Sequence, residues 1–573
     1  MEYETIRHKV QFCVIGGGLA GMCAAISAAR RGIRTLIMHE RPMFGGNASS
    51  EVRMWICGAR QPDSLESGLV EEFRLENLYR NTMANYSIWD SVLFEKVRFQ
   101  DNLISLLNCS CFEADAKGSR IASIKGWQMT TQTFHEVEAD YFADCSGDSI
   151  LAPLVGAAYR VGREDKTEFN ESLAQDEADR KTMGMSCILQ ARQTDRKQKF
   201  VPPSWAYYYE DDSALPNRNH TFTPMQNYWY LELGGDVDSI RDTENVRDEL
   251  LKVAYGMWDH IKNRGDHNAD NWELDWVGIL PGKRESRRYE GDWMLSEKDV
   301  LSGGKFDDII AYGGWPIDDH NPGGLNYRGV PNTNIVPEEP YGIPYRCIYS
   351  QNIGNLFFAG RNISCSHVAL SSTRVMATCA TLGQAVGNAV YCALRHGGIT
   401  PREVGIKHIA ELQQYLLEDD CFLLRIKREI PQICAEAELK GSGKNIEKLR
   451  NGIDRKYNGN DNAWVCKAGD FAEYKFNEPA EINSCRIVFD SDFDRMPHNM
   501  LANYFLDREE FAPPATLIKA FHIEADGKTI LSVVNNYQRL VRLPLEVNAS
   551  SIKLVIDEIY SNSQTRVFAF DVQ

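Results

Sequence analysis

The sequence predicts an α/β domain that is interrupted by an α+β insertion and followed by a C-terminal all-β sandwich. Three observations support this fold class. Residues 10–40 follow the order strand, glycine-rich turn, helix, strand. Two later apolar runs, at 141–148 and 355–364, each end in a turn of small residues. After residue 430 the pattern changes to short alternating strands separated by turns, which is typical of a sandwich.

The composition is that of a globular chain with several domains. Of its 573 residues, 43% are hydrophobic and 25% are charged, which excludes wholesale disorder. The formal net charge of −17 disfavours binding to nucleic acid or to an anionic membrane, because both need a basic face. The 15 cysteines follow no paired spacing, so we interpret them as free thiols in a reducing cytosol. We therefore expect a cytoplasmic protein without a signal peptide or a membrane span.

The first forty residues carry the strongest motif. The strand Val10 to Ile15 leads into GGGLAG, and an alanine-rich helix and a second strand follow. Gly16 allows the tight turn, Gly18 lets the backbone approach a pyrophosphate, and Gly21 allows close packing of helix on strand. The helix N-terminus offers free N–H groups to the anion. Glu40 ends the second strand, where a carboxylate can accept hydrogen bonds from ribose hydroxyls. These residues predict a Rossmann-like dinucleotide-binding unit.

Three more segments follow this motif in order along the chain. RPMFGGNASSEVRMW comes directly after Glu40, YFADCSGD lies at 141–148, and NLFFAGRNIS at 355–364 leads into a helix of small residues. At these four places the sequence resembles the FAD-dependent oxidoreductase family related to the fumarate reductase and succinate dehydrogenase flavoproteins. The resemblance covers roughly residues 8–400. No second glycine motif for a nicotinamide nucleotide and no C-x-x-C redox pair is present, so a disulfide reductase is not expected.

The resemblance implies FAD and assigns residues to each part of it, and non-covalent binding is expected because no covalent attachment motif is recognisable. Those for the adenosine diphosphate half are Gly16, Gly18, Gly21, Glu40 and Arg41. Those for the flavin side are Gly46, Asn47, Ala48 and Ser49, and those that close the site are Ser146, Gly147 and Asp148. Those near the pyrophosphate and the ribityl chain are Gly360 and Arg361. The helix starting near Met376 points its positive end at the flavin N1/C2=O edge, where negative charge appears on reduction.

The predicted domain organisation has five parts. The FAD-binding domain comprises residues 1–161 and 346–400, and a substrate or cap domain at 162–345 is inserted between them. A helical connector covers 401–430, and the sandwich covers 431–573.

The sandwich resembles discoidin-like, galactose-binding modules in its strand pattern, in Ala463-Trp464 and in the NYQRLVR stretch. Such modules often bind glycans through loops at one end. The loops here show little aromatic enrichment, so packing against the flavoprotein domain, or an oligomer contact, is the preferred interpretation.

The cap is rich in tryptophan. Seven of the 11 tryptophans fall between residues 205 and 315. For any single one, packing in the core is the expected role. As a group they suggest a pocket that stacks on flat or ring-shaped molecules, with sugars a natural candidate. GMSCILQAR at 184–192 and NYWYLELGG at 227–235 predict strands of a separate small sheet.

Two histidines are candidate catalytic bases. His367 follows the Ala-Gly-Arg turn by a few residues, so its imidazole is expected beside the flavin, neutral near pH 7 and able to take a hydroxyl proton. The alternative is that His367 only hydrogen-bonds the cofactor or the backbone. His320 lies next to Asp318 and Asp319 in WPIDDHNPGG and forms a second carboxylate–imidazole pair.

Three arginines are candidates for binding an acid or an oxyanion. Arg287 lies in GKRESRRYEGD, a segment that also resembles the family's Arg-Glu-Ser-Arg-Arg stretch. It could clamp an anionic substrate or belong to an inter-domain salt-bridge network. Arg374 and Arg53 are weaker candidates. No partnered ligand spacing supports a metal site, so none is predicted.

The leading hypothesis is an FAD-dependent oxidoreductase that oxidises a secondary hydroxyl of a carbohydrate or uronate-like substrate by hydride transfer to flavin N5. The first alternative is reduction of an activated double bond in a carboxylate. The second is a glycan-binding protein in which FAD is only structural. The predicted partner is a small molecule, a sugar or sugar acid, and no nucleic acid or membrane. The electron acceptor and the formation of a homo-oligomer stay open.

Overall fold

The computed structural model describes residues 3–265, 267–496, 498–561 and 563–573, and these divide into two compact units. Within the described residues, the first unit comprises 3–59, 84–412 and 498–510. The second unit comprises 60–83, 413–496 and 511–573. Each unit is therefore assembled from pieces that are far apart in the sequence. The five-part division given above stays a prediction.

The described helices are, in chain order, α1 (Leu19–Arg30), α2 (Leu69–Arg80), α3 (Tyr86–Arg98), α4 (Leu151–Val155), α5 (Thr243–Asn263), α6 (Glu297–Leu301), α7 (His367–Thr373), α8 (Met376–Arg395), α9 (Pro401–Lys407), α10 (Ile409–Glu418) and α11 (Gln432–Glu436). The strands up to the end of the first long segment are β1 (Thr5–Ile15), β2 (Thr35–Met38), β3 (Leu103–Leu106), β4 (Cys109–Lys117), β5 (Arg120–Gln128), β6 (Thr133–Asp144), β7 (Tyr159–Arg160), β8 (Met185–Ser186), β9 (Leu189–Gln193), β10 (Glu232–Leu233), β11 (Trp272–Val277), β12 (Gly282–Lys283), β13 (Arg288–Tyr289), β14 (Ile309–Gly313), β15 (Tyr341–Pro344) and β16 (Leu356–Phe358). The later strands are β17 (Glu438–Gly441), β18 (Trp464–Cys466), β19 (Phe471–Phe489), β20 (Ile518–Ala525), β21 (Lys528–Val533), β22 (Leu540–Ile559) and β23 (Thr565–Val572).

The main sheet of the first unit has the order β3-β2-β1-β6-β5-β4, and β16 also pairs with β6. The strands β3, β2, β1, β6 and β16 run parallel, whereas β4 and β5 form an antiparallel hairpin beside β6. In this register Ile15 lies opposite both Met38 and Asp144, and Phe358 lies opposite Asp144. Four strands therefore end side by side at one edge, which is where open parallel sheets bind their ligands.

Helices α1 and α8 approach each other closely. Every residue of α1 except Arg30 is buried. A Cβ added at Gly383 would lie 2.0 Å from the Ala20 carbonyl oxygen, and one at Gly387 would lie 2.5 Å from that of Ala24. Residues four apart share one face of a helix. The two glycines therefore let α8 lie against α1. The helix of small residues that the sequence predicts after residue 364 is thus present and buried.

The insertion forms several short sheets rather than one small sheet. β8 pairs with β10 and β12, β9 with β11, β7 with β13, and β14 with β15. The stretch between β9 and β10 contains four prolines, which cannot donate to a ladder, and it forms no strand among the described residues. Helix α5 packs on a core that includes Trp258 and Trp272.

The second unit is an antiparallel β structure of order β18-β23-β19-β22-β20-β21, with β17 paired to β19. Strands β19 and β22 have 19 and 20 residues, so they are longer than the short alternating strands that the sequence predicts. Their ladder is irregular between Lys475 and Ala480 and between Ile482 and Ser484, so an expected turn is a bulge instead. The core of this unit includes Leu75 of α2, which is fully buried. The predicted fold class is confirmed.

Among the described helices, none has both the length and the apolar character that crossing a membrane requires.

Candidate active site

The turns that follow three parallel strands meet at the carboxyl edge of the main sheet. Gly16 follows β1, Ser146 follows β6 and Gly360 follows β16. The Cys145 N–H donates to the Ile15 carbonyl at 2.7 Å, which ties the first two turns together. The structure thus brings together residues that are more than three hundred positions apart in the sequence.

The three motif glycines occupy different surroundings. Gly16 has φ +102°, and a Cβ there would lie 2.3 Å from the Cys145 carbonyl oxygen. A Cβ at Gly21 would lie 1.9 Å from the Gly16 carbonyl oxygen. At Gly18 the nearest atom to an added Cβ is 3.9 Å away, so the space beside it is open. This geometry fits a tight turn, a close packing contact and an approach surface for a ligand, in that order.

The loop of residues 45–49 lies beside the first turn. The Gly45 N–H donates to the Gly17 carbonyl at 2.8 Å, and Gly46 has φ +58°. The Asn47 side-chain amide donates to the Lys283 carbonyl at 3.4 Å, so this loop also contacts β12 of the insertion. The loop therefore lies between the glycine turn and the insertion, where a flavin-side contact is predicted.

The next two residues of this loop are held in place by hydrogen bonds. The Trp89 indole N–H donates to the Ala48 carbonyl at 2.8 Å. The Ser49 hydroxyl donates to the Gly46 carbonyl at 2.8 Å. Both contacts fix the backbone of the short 3₁₀ turn Gly46–Ala48.

Asp148 is the centre of a charged group at the same edge. Its carboxylate accepts hydrogen bonds from Arg361 at 2.6 Å, Lys283 at 2.8 Å and Ser286 at 2.8 Å. Burial alone would raise the pKa of Asp148, but Arg361 and Lys283 hold it well below its ordinary range. Gly147 has φ +80°, and a Cβ there would lie 2.4 Å from an Arg361 nitrogen. Asp148 therefore positions Arg361.

Buried donors at this edge fit an anionic cofactor. Arg41 Nη1 and Arg361 Nε are buried and have no hydrogen-bond partner within the described residues. The first turns of α1 and α8 carry neither an acidic residue nor a capping side chain from the described part of the chain, and α8 begins at Met376. Guanidinium groups and free helix N–H groups are typical partners of phosphate oxygens. The residues present therefore fit FAD.

The end of β2 contributes one predicted residue and one that the sequence did not indicate. Glu40 exposes 62% of its side chain and lies 3.7 Å from Arg41, so its carboxylate is accessible to a ribose. His39 lies under the glycine turn and accepts a hydrogen bond from the Gly17 N–H on Nδ1 at 3.0 Å. Burial lowers the pKa of His39 to about 3, so its ring is neutral with the hydrogen on Nε2.

His367 begins α7 and lies between two carboxylates. Its Nδ1 is 2.9 Å from Glu285, and its Nε2 is 3.0 Å from Asp319. Arg288 lies 3.4 Å from Glu285 and completes a group that we call the first cluster. Burial would lower the pKa of His367, but Glu285 and Asp319 raise it to about 10. The ring is therefore a charged imidazolium at neutral pH. The neutral imidazole predicted from the sequence is thus not what the structure shows.

His320 lies in a second cluster of the same kind. Its Nδ1 is 2.6 Å from Glu232, and its Nε2 is 3.3 Å from Asp318. Arg284 lies 3.5 Å from Glu232, and Arg374 lies 3.2 Å from Asp318. Burial would raise the pKa of Glu232, but Arg284 and His320 lower it, so the buried group stays a carboxylate. These five residues form the second cluster.

The segment 284–288 connects both clusters to the cofactor edge. Arg284 belongs to the second cluster, and Glu285 belongs to the first cluster. The next two residues contact Asp148. The Ser286 hydroxyl donates to the Asp148 carboxylate at 2.8 Å, and the Arg287 guanidinium donates to the Asp148 carbonyl at 3.2 Å. Arg287 therefore lies at the cofactor edge rather than in either cluster.

Arg374 and Arg53 have different surroundings. The Nε atom of Arg374 is buried and lacks a hydrogen-bond partner among the described residues. The Arg53 guanidinium lies 4.7 Å from the Tyr86 ring centroid and 4.5 Å from that of Trp276, and it donates to Gln190 at 2.8 Å. Arg53 is therefore held by aromatic rings, by an amide and by Asp275 at 3.7 Å rather than by either cluster.

The tryptophans of the cap divide between core and site. Trp258 and Trp272 belong to the core around α5. The ring centroid of Trp229 lies 4.9 Å from that of His320, and the Trp315 indole N–H lies 3.4 Å from an aspartate of the second cluster. Core packing therefore explains some of the enrichment, and aromatic rings also border the second cluster.

Sequence reasoning missed three charged residues of the site. Glu285 lies inside the Arg-Glu-Ser-Arg-Arg stretch, and Lys283 immediately precedes it, so that motif was the available signal. Glu232 lies in the two-residue strand β10 and meets His320 across 88 positions of sequence. No local pattern in one sequence marks such a pair.

Comparison with known proteins identifies the family of the chain. The chain matches the family model described as FAD dependent oxidoreductase over residues 11–416. The chain therefore belongs to the FAD-dependent oxidoreductase family: it is an oxidoreductase, and its cofactor is FAD. The predicted relationship to the fumarate reductase flavoproteins stays a prediction.

Curated relatives match only a short part of the chain. The glycerol-3-phosphate dehydrogenase of Mycobacterium leprae and the glycerol-3-phosphate dehydrogenase 2 of Mycobacterium tuberculosis are each 39% identical over 59 residues. These matches cover 10% of this chain and 10% of each relative.

Two solved structures are similar to different parts of the fold. A geranylgeranyl bacteriochlorophyll reductase-like protein from Thermoplasma acidophilum is 12% identical, with a TM-score of 0.32, and the match covers 72% of this chain and 86% of that chain. The family 32 carbohydrate-binding module of EndoD from Streptococcus pneumoniae is 14% identical, with a TM-score of 0.19, and the match covers 25% of this chain and 97% of that chain. These likenesses concern the fold alone.

Proposed function

We propose that the protein is a dehydrogenase that oxidises a secondary hydroxyl of a carbohydrate or uronate-like compound. The observation that carries this proposal is the chain of charged groups Asp319, His367 and Glu285, in which Asp319 is 26% exposed and the other two are buried. Bound FAD supplies the hydride acceptor for such a reaction. The residues of the chain must then bind the hydroxyl and take up its proton.

The carboxylates of the two clusters suit the hydroxyl groups of a sugar. Asp318 and Asp319 are consecutive residues, and nearby groups hold the pKa of each below its ordinary value despite burial. Ionised carboxylates accept hydrogen bonds from hydroxyl donors. A sugar ring offers several such donors, and Trp229 and Trp315 beside the second cluster offer flat apolar surfaces to its C–H faces.

The unpartnered Nε of Arg374 extends the proposal to sugar acids. This nitrogen is buried next to the second cluster and has no hydrogen-bond partner in the described chain. A guanidinium donor left in this way suits one carboxylate oxygen of a uronate. A neutral sugar would leave that donor unpaired, so we expect uronates to be better substrates than neutral sugars.

The protonation of His367 sets a condition on the oxidation. The pKa of His367 is raised to about 10, so most of its rings are already protonated at neutral pH. Only the fraction of molecules with a deprotonated His367 can accept a proton from the substrate hydroxyl. The rate of hydroxyl oxidation should therefore increase with pH up to about 10. A bound substrate that displaces Asp319 from His367 removes one of the two charges that raise this pKa, and lowers the pH at which oxidation begins.

The test is anaerobic reduction of the FAD-loaded protein by a panel of uronates, neutral sugars and polyols, measured as loss of flavin absorbance. We expect uronates to reduce the flavin faster than the matching neutral sugars. An Arg374→Lys variant should lose this preference, because it removes the Nε donor and keeps the charge. Reduction by none of the panel at any pH from 7 to 10 would contradict the proposal.

One observation favours a second candidate, the reduction of an activated double bond in a carboxylate. That reaction needs an acid to protonate the carbon that hydride does not reach, and His367 is an acid at neutral pH. Turnover of an enoate by the protein with a reduced dye, fastest at neutral pH and slower toward pH 10, would select this reaction over hydroxyl oxidation. Membership of an oxidoreductase family supports either reaction over a glycan-binding protein with structural FAD.

A further inference from the structure

Three histidines and one aspartate converge in the insertion, and none of them belongs to either cluster described above. Asp212 begins the 3₁₀ turn Asp212–Ala214, and His220 lies in the irregular segment that follows. His260 lies in the last turn of α5, and His267 lies just after that helix. One ring nitrogen from each histidine and one Asp212 oxygen lie within 4.8 Å of one another.

Four of the six distances between these atoms are close to those in the ligand shell of one ion. Asp212 Oδ1 lies 2.9 Å from His260 Nε2, 3.2 Å from His220 Nδ1 and 3.4 Å from His267 Nε2. The two Nε2 atoms of His260 and His267 are 3.1 Å apart. A tetrahedral ion with ligands at about 2.0–2.2 Å holds them about 3.3–3.6 Å apart. A small inward or outward shift of each side chain therefore suffices to bind a metal.

The tautomer of His260 is already set for a metal. Its Nδ1 lies 3.2 Å from the Tyr209 carbonyl, which can only accept, so Nδ1 carries the hydrogen. Its Nε2 then presents a lone pair to Asp212 and His267. A ligating imidazole that donates its other N–H to a backbone carbonyl is the common arrangement around protein metal ions. The His260 side chain is fully buried, which fixes the direction of this lone pair.

The burial of the group leaves one side open. His220 and His260 are buried, with 7% and 0% of their side chains exposed, whereas Asp212 is 72% exposed. A carboxylate that faces both solvent and three imidazoles gives an ion a route into the site. The Asp212 carboxylate can only accept hydrogen bonds, and the hydrogen of His260 is directed at a carbonyl elsewhere. Without a cation, the contact between Asp212 and His260 Nε2 therefore has no donor.

We propose that Asp212, His220, His260 and His267 form a zinc site. Three imidazoles and one carboxylate in tetrahedral arrangement are a ligand set that zinc prefers. The sequence predicted no metal site, because these ligands are spread over the chain without paired spacing. The ion would join the segment of residues 212–220 to the end of α5 and stabilise the insertion.

The proposed zinc site also bears on the candidate active site. Arg218, two positions before His220, donates to the carbonyls of Gly324 and Tyr327 at 3.0 and 3.1 Å. That loop follows His320 of the second cluster by only a few residues. Zinc would therefore hold in place the segment that supports this loop, as a structural ion rather than as a participant in catalysis.

The first test is the metal content of tag-free, full-length protein, measured by plasma mass spectrometry after growth with zinc and again after reconstitution and gel filtration. We expect about one equivalent of zinc per chain, retained through gel filtration. Less than about a tenth of an equivalent after reconstitution would overturn the proposal.

Two variants locate the ion. Asp212→Asn changes an exposed side chain and should preserve the fold while lowering zinc affinity about tenfold or more, measured by competition with a chelating dye. The matched control is His396→Ala in a second group of possible ligands, Cys392, His396 and Glu411, which offers three ligands instead of four. Zinc lost from the control but retained by Asp212→Asn would overturn the assignment.

Cobalt reports the geometry of the site without any assay of activity. Protein loaded with Co²⁺ should show the intense visible bands of a tetrahedral ion, in a difference spectrum against zinc-loaded protein that cancels the flavin. His260→Gln should abolish these bands. Weak bands of octahedral cobalt in the wild-type protein would contradict the four-ligand site.

Discussion

His367 is buried together with one of its two carboxylate partners, and this determines what the side chain can do. The lone imidazole of an exposed histidine exchanges its proton near neutrality, whereas here Glu285 and Asp319 stabilise the charged ring. The position of His367 after the Ala-Gly-Arg turn could be predicted from the sequence. Its protonation could not, because Glu285 and Asp319 come from two other segments of the chain.

Replacing His367 with Ala should leave FAD bound and slow flavin reduction by substrate about 10²-fold or more, because the variant removes the proton carrier. The measurement is anaerobic stopped-flow reduction, with FAD content as the check of folding. The matched control is His522→Ala in the second unit, where His522 also pairs with an aspartate, at 2.9 Å. Equal rates in the two variants would remove His367 from the mechanism.

His367 should also make stability depend on pH. The folded pKa of about 10 exceeds the ordinary value of 6.5, so the folded state binds this proton more tightly than the unfolded chain. The stabilisation is therefore complete below pH 6.5 and is lost as the pH rises toward 10.

This pH dependence is measured as the urea midpoint of the transition that releases FAD. Between pH 6.5 and 10 the midpoint should fall more steeply for the wild type than for His367→Gln. Parallel profiles for the two proteins would show that the ring is not held in its charged form.

At the scale of elements, the carboxyl ends of parallel strands gather the cofactor residues. The order of strand, glycine turn and helix is local, so it is visible in the sequence. The joining of β16 to β6, which brings Gly360 to the same edge as Gly16, was inferred only by resemblance. The merging of predicted strands into β19 and β22 escaped prediction, because a bulge and a turn use similar residues.

Gly18→Ala should weaken FAD binding about tenfold or more while leaving the fold intact. The added Cβ enters the open space beside Gly18, where the nearest protein atom is 3.9 Å away and a pyrophosphate is expected. The control is Gly354→Ala, whose Cβ would meet only the Ser119 carbonyl oxygen, at 3.6 Å. FAD titration of both apoproteins gives the comparison, and equal affinities would place the pyrophosphate elsewhere.

At the scale of the whole molecule, the two units exchange pieces of sequence. Helix α2 lies early in the chain, yet Leu75 belongs to the core of the second unit. A division by composition assigns this helix to the domain of its sequence neighbours, because the amphipathic pattern of a helix shows that a face is buried but not against which partner. The core to which a helix belongs is therefore harder to predict from the sequence than the fold class.

Leu75→Ala should destabilise the second unit by about 2–5 kcal/mol, because it leaves a cavity in a fully packed core. Hydrogen exchange followed by mass spectrometry should show faster exchange in β19 and β22. The control is Ile104→Ala in β3 of the first unit, where the side chain is 44% exposed. Unchanged exchange in β19 and β22 would show that α2 is not part of that core.

Because each unit is built from separate segments of the sequence, the order of synthesis on the ribosome constrains how the units can fold. Residues 60–83 leave the exit tunnel long before the strands that cover them, and residues 498–510 arrive long after the rest of the first unit. At about 5–20 residues per second the nascent helix waits on the order of tens of seconds for its partners. Over that interval its apolar face is open to chaperones, and neither unit can be made alone by cutting the gene once.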